Sequence, residues 1–217
     1  DSEFPAEEFS ARGYESLYVG QPAYNGVAIL SRAALKDPAT DVAGLNDPER
    51  RVVAATIGDV RLFSIYVPNG QSIDSAKYRY KLEWLATLRA ALGAELARHP
   101  RCVVVGDFNV APDDRDVHDP ARWAGQVLCS APERAALGKI LDLGFADAFR
   151  LFAQPERTFS WWDYRAGALR RNHGLRIDLI LTSPELSRFC TSCRVDVAPR
   201  RVQRPSDHAP VVAEFSG

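Results

Sequence analysis

Four stretches of this 217-residue chain end or interrupt an apolar run with side chains suited to phosphate and metal chemistry. In Val103-Val104-Val105-Gly106-Asp107-Phe108-Asn109 an apolar strand runs into Asp and Asn. Alternation along an extended chain puts Asp107 and Asn109 on one side. A carboxylate and an amide converging there could bind a hard cation or position a water, although Asp and Asn also serve as plain turn formers after strands. Ser206-Asp207-His208 sets a hard oxygen ligand beside an imidazole able to donate to a phosphate oxygen; its bland alternative is a loop cap. Arg176-Ile177-Asp178-Leu179-Ile180-Leu181 places one Asp in an apolar strand, where a carboxylate is costly to bury alone. His208 is its expected partner, with tautomer and basicity fixed by the carboxylate. In Tyr66-Val67-Pro68-Asn69-Gly70, Pro and Gly fix a turn presenting Tyr66 and Asn69. Together these stretches supply carboxylates, an imidazole, two carboxamides and a phenol. The chain has no Gly-rich nucleotide loop and no Gly-x-Ser-x-Gly elbow. Metal-assisted hydrolysis of a phosphoester fits this set better than acyl transfer does.

Strands and helices must deliver these groups. Tyr24–Ser31 reads as a strand, and Val52–Ile57 with Val60–Val67 as a hairpin across Gly58-Asp59. Asp74–Arg98 predicts a long helix, with Tyr78, Leu82, Leu85, Leu88, Leu92 and Leu96 at three-to-four spacing. Cys102–Val105 predicts a strand buried on both faces. Ser130 and Glu133 form a capping-box signature with Pro132 in the first turn. That helix should run to about Leu143 and stop at Gly144. Ile177–Thr182, Cys193–Val197 and Pro210–Phe215 read as strands. With no internal repeat or linker, these elements predict one α/β domain with a mixed or antiparallel sheet.

Net charge is −1, so no global basic field advertises a nucleic-acid partner. Residues 150–217 nevertheless hold 11 Lys+Arg against 7 Asp+Glu, all the basic ones Arg. Arg forks suit phosphate oxygens, while the bland reading is a solvated basic face. No apolar run reaches the length of a membrane span. The four cysteines include a single Cys190-x-x-Cys193 with no second pair, which predicts structural thiols in a reducing cytoplasm. Met is absent, including at position 1, which suggests a processed or trimmed sequence.

The motifs, in this order and over essentially the whole chain, resemble the exonuclease III family of DNA repair nucleases, within the endonuclease/exonuclease/phosphatase superfamily. Gly106-Asp107-Phe108-Asn109 and Ser206-Asp207-His208 carry the superfamily resemblance. Tyr66–Gly70, Thr158-Phe159-Ser160-Trp161-Trp162-Asp163-Tyr164-Arg165 and Gly174–Asp178 carry that of the branch. The resemblance implies two mixed β-sheets packed face to face between outer helices, a four-layer sandwich forming a single nuclease domain over 1–217. It implies hydrolysis of DNA phosphodiesters 5′ to abasic sites and at 3′ ends by a monomer using Mg²⁺, with Mn²⁺ as an alternative. The implied partner is double-stranded DNA. By resemblance, Asp107 activates the water and Asn109 helps hold water and phosphate. His208, paired with Asp178, contacts the phosphate, and Tyr66 assists the leaving group. Asp207 belongs to the metal site, with Asp107, Asn109 and His208 as further candidate ligands. Asn69, Trp161, Trp162, Arg165, Leu175, Arg176 and Ile177 fall where the family grips DNA, although one of the adjacent Trp rings is expected in the core.

Family members also carry a metal-binding Glu on an earlier strand, and this chain begins just after where that motif would stand. That predicts absent N-terminal strands, an unpaired sheet edge and exposed apolar surface. Two other readings share the motifs. One is a sister-branch phosphodiesterase acting on lipid or inositol phosphates or RNA, and the other a non-catalytic DNA-binding fragment.

Overall fold

The computed structural model describes residues 3–22, 24–45 and 47–216. In chain order the elements that matter are helix α1 (Ala6–Ala11) and strands β1 (Glu15–Gly20), β2 (Gly26–Ser31), β3 (Leu35–Ala39), β4 (Val52–Ile57) and β5 (Val60–Tyr66). Then come α2 (Ala76–Arg98), β6 (Cys102–Asp107), α3 (Pro120–Trp123), α4 (Ala131–Leu141), β7 (Ala146–Asp147), β8 (Asp178–Thr182), β9 (Cys190–Val195) and β10 (Val211–Phe215).

Six strands form one mixed sheet in the order β3-β4-β5-β6-β8-β7. Gly58-Asp59 makes the β4–β5 hairpin, with Ile57 opposite Val60. β5 and β6 run parallel, which requires a crossover; α2 supplies it. Its N-cap is Ser75, whose hydroxyl accepts from the Tyr78 amide. Ser130 and Glu133 cap α4 reciprocally, with Pro in its first turn, as the capping box predicts.

One face of the sheet packs on the helices: Ala54, Phe63, Ile65, Val104 and Leu181 meet Trp84, Leu85, Leu88, Leu137 and Ile140. Each buried Leu contributes roughly 2 kcal/mol. The opposite face carries a divided second layer. Val53 and Ala55 meet Val19 and Ile29 of the β1–β2 ribbon. Val103 and Ile180 meet Cys193, Val211 and Ala213 of the β9–β10 ribbon. Beyond β1 lies α1, and just before that helix Phe4 stacks on Tyr18 of β1 at 4.0 Å between centroids. The architecture is thus the layered α/β sandwich with a mixed sheet, but its second sheet is two separate ribbons. Among the described residues no strand bridges β2 to β10, and Val211, Val212 and Ala213 stay only half-buried.

Several expectations shift. The strand expected from Tyr24 begins at Gly26, with Tyr24 exposed in the turn. The strand expected over Cys193–Val197 spans Cys190–Val195, with a bulge where β10 pairs with it. The helix expected to reach Leu143 ends at Leu141. Val105 is half-buried, not enclosed on both faces, because it faces the divided layer. All four cysteines are free thiols, three of them buried. No helix among the described residues is long and apolar enough to cross a membrane.

Candidate active site

Strand register places three site residues side by side. Tyr66 ends β5 opposite Asp107 at the end of β6, and Asp107 lies opposite Asp178 at the start of β8. The parallel pair brings two strand ends to one rim, and antiparallel β8 begins at the same rim. The close approach needs Gly106, whose φ is +143°; a Cβ there would sit 1.9 Å from the Ile65 carbonyl oxygen.

Asp178 receives the Nδ1 side of His208 at 2.8 and 3.0 Å. This pair was expected from the cost of burying a lone carboxylate. Ser160 Oγ holds the start of β8, accepting from the Ile177 and Asp178 amides at 3.1 Å. Burial works to lower the His208 imidazole, but the Asp178 hydrogen bond and charge, with Asp107 and Asp207 beyond, carry it up to about 9. Burial, and then the Asp178 charge, push Asp107 up to about 7, against His208 and the Asn109 amide. Asp178 and His208 also border a cleft of about 650 Å³, walled by Val105, Ile180 and Val211.

The loop after β6 is tied back on itself. Asn109 has a left-handed φ of +49° and is 3% exposed. Its amide donates to Asp107 Oδ1 at 2.8 Å, and its Nδ2 to Asp107 Oδ2 and the Val67 carbonyl at 3.0 and 2.9 Å. Asn69, exposed at the next loop, donates its Nδ2 to Asn109 Oδ1 at 3.0 Å. Tyr66 lies under the Arg51 guanidinium, 4.8 Å from ring centroid to Cζ. Burial and the Asp107 charge raise its phenol, with Arg51 opposing.

Asp207 is held by the Trp161 indole, which donates to Oδ2 at 3.0 Å. Among the described residues no three His, Cys, Asp or Glu side chains come together to hold a metal ion. Asp107, Asn109, Asp207 and His208 therefore do not make a closed cage: Asp107 and Asn109 are bonded to each other, and His208 spends Nδ1 on Asp178. An oriented carboxylate of this kind fits a hard divalent ion that keeps several of its own waters. Asp207 is the residue that would hold it.

The proposed DNA grip divides. Arg165 is 87% exposed at its side chain, paired with Asp163; Asn69 is exposed and Trp161 half-buried. Four others lie in the interior. Trp162 is buried, its indole donating to Asn172 Oδ1 at 3.1 Å. Leu175 and Ile177 pack in a core with Ala111, Val117 and Leu128. Arg176, 1% exposed, is clamped by Asp116 at 2.6 Å and Asp147 at 2.7 Å. For Leu175, Arg176 and Ile177 alternation along an extended segment could not reveal this, because the covering residues come from 111–128 and 147–149, whereas Trp162 packs with Phe159, Ala168 and Ala209.

Sequence reasoning also missed Arg51, Ser160 and Lys81. Lys81 left a signal: it stands on the α2 stripe Tyr78–Trp84–Leu85–Leu88, where only apolar side chains were expected.

A model of the Endonuclease/Exonuclease/phosphatase family matches residues 3–208. Exodeoxyribonuclease III of Haemophilus influenzae is 32% identical over 99% of this chain and 85% of its own length. Among solved structures, a 3′ phosphatase from Neisseria bound to product DNA hairpin superposes with a TM-score of 0.98 at 41% identity. It covers 100% of this chain and 85% of that one. An AP endonuclease from Archaeoglobus fulgidus gives 0.94 at 38% identity, with the same coverage. The chain belongs to the endonuclease/exonuclease/phosphatase family, in its exodeoxyribonuclease III branch.

Proposed function

We propose that the chain is a metal-dependent DNA repair nuclease, a single domain over 1–217 acting as a monomer in the cytoplasm. It hydrolyses phosphodiesters 5′ to abasic sites and at 3′ ends of double-stranded DNA. The observation that carries this reading is the register Tyr66–Asp107–Asp178, with His208 bonded to Asp178 at the same rim.

Asp107 takes a proton from the attacking water. A carboxyl raised to about 7 is a base matched to neutral pH. Asn109, with its side chain bonded on both sides, fixes the Asp107 carboxylate toward that water. His208, protonated through Asp178, offsets charge developing on the phosphate oxygens. Tyr66, its phenol kept protonated by burial, donates to the departing sugar oxygen. A divalent ion at Asp207, Mg²⁺ or in its place Mn²⁺, supplies Lewis-acid charge neutralisation when bound. Exposed Arg165 and Asn69, with Trp161 at the rim, face the duplex.

The test is incubation with duplex DNA carrying a tetrahydrofuran abasic analogue, with and without EDTA. A nick that needs the metal is expected, and its absence at every metal tried refutes the reading. The Neisseria relative is called a 3′ phosphatase, so 3′-phosphorylated and 3′-hydroxyl ends belong in the same panel. Preference for inositol phosphates or RNA would move the assignment to a sister branch.

A further inference from the structure

Lys81 is a feature of the α2 face that the chemistry above leaves unused. Its side chain is 0% exposed, and its ammonium contacts Glu133. Glu133 is itself saturated, accepting from the Leu128 amide at 3.0 Å and from Ser130 at both amide and hydroxyl. The other ammonium protons go to two backbone carbonyls, Asn109 O at 2.6 Å and Asn69 O at 3.1 Å. All three donors of an ammonium are thereby spent. The two carbonyls belong to the residues whose side chains meet at 3.0 Å beside Asp107.

An ion pair this deep is weak evidence for stability, since a neutral pair of similar volume often does as well. What an apolar side chain of that volume cannot do is donate to the Asn69 and Asn109 carbonyls. Asn109 also turns the chain through a left-handed backbone at a φ of +49°, which Asn tolerates better than other residues with a Cβ, and its carbonyl is the nearer of the two backbone acceptors of Lys81.

We propose that Lys81 is a positioning residue of the active site: from inside the core it pins the Asn69 and Asn109 loops to each other and so fixes the Asp107 carboxylate. This rests on the nuclease reading above. Lys81 touches no substrate itself, so its loss should fall mainly on turnover, with any effect on capture limited to the Asn69 loop it holds.

The experiment uses two variants, Lys81→Met and Lys81→Met/Glu133→Gln. The second removes the orphaned carboxylate, while the carboxamide that replaces it can still accept from Ser130. Incision of the abasic-analogue duplex should fall at least tenfold in kcat for both, with KM within threefold, while the double variant recovers most of the Tm lost by the single one. A double variant that regains kcat together with Tm, or a single variant with unchanged kcat, overturns the proposal. Should the unsubstituted chain cleave nothing, the nuclease reading fails separately. The tether is then read from the Asn69 and Asn109 side-chain amide resonances by NMR in the folded double variant. They should shift and broaden, and unchanged resonances overturn the proposal on that ground too.

Discussion

Arg176 and Arg165 stand eleven positions apart and look alike as residues, yet the fold uses them in opposite ways. Arg176 lies under Phe149, 4.7 Å from Cζ to ring centroid, between Asp116 and Asp147. It also binds the Asp116 carbonyl through its own amide at 2.9 Å. Arg165 stands in solvent and pairs with Asp163, two residues before it. The difference separates two walls of the site. The sheet-side wall, Tyr66, Asp107 and Asp178 with the buried charges behind them, sets positions. The loop-side wall, the Arg-bearing segment around 163–171, carries exposed charge, which on the proposed function would serve capture. Buried pairs hold a geometry at a cost in desolvation; exposed pairs are screened and loose.

If that division holds, the sheet-side wall should control turnover. Asp107→Asn removes the base and should lower kcat by about 10²–10⁴-fold, with DNA binding nearly unchanged in a fluorescence titration. A variant with equal turnover breaks the division at once. Next in size, Arg176→Met should cost about 3 kcal/mol of unfolding free energy in urea, since it leaves Asp116 and Asp147 short of a partner in the interior. A loss below about 0.5 kcal/mol would return Arg176 to the surface set.

The Asp178–His208 pair sharpens the comparison through pH. In metal-free protein the His208 ring should titrate near 9 by NMR. In Asp178→Asn burial is far less opposed, so the midpoint should drop by more than one unit. The sign for stability follows. The folded value lies above the ordinary 6.5, so the pair's contribution is complete below about 6.5 and is lost as pH rises through about 9. Urea titrations at pH 6 and pH 9.5 should differ in that direction, and the difference should shrink in Asp178→Asn. The smallest effect belongs to Arg165→Ala: stability within about 0.5 kcal/mol, with the change confined to KM and its dependence on salt.

How far the sequence spoke also follows this division. Tyr66, Asp107 and Asp178 were legible because each ends or begins an apolar strand, and strand alternation survives without tertiary context; His208, in the loop before β10, was legible as the partner that a lone Asp178 carboxylate needs. The capping box at Ser130 and the Gly58-Asp59 hairpin are local and were equally plain. β3 was not legible: it carries Asp37 at a φ of +47° and Pro38, and pairs through a bulge. The fates of Trp162, Leu175, Arg176 and Ile177 were hidden for another reason. Residue type marks them as able to touch DNA, but whether they reach it depends on segments far away in sequence. Lys81 was visible only as a charge in an apolar stripe, an irregularity that periodicity discounts.

The in-register row Tyr66–Asp107–Asp178 also bears on how competence arises during folding. The β4–β5 hairpin can form early from neighbours in sequence, but it brings Tyr66 alone. Asp107 arrives only after the whole of α2 has crossed over, and Asp178 after a further long excursion of chain, which are the slow, non-local closures of a mixed sheet. A nascent polypeptide would therefore carry the parts of the site before it carries the site, which is assembled only when β8 pairs with β6.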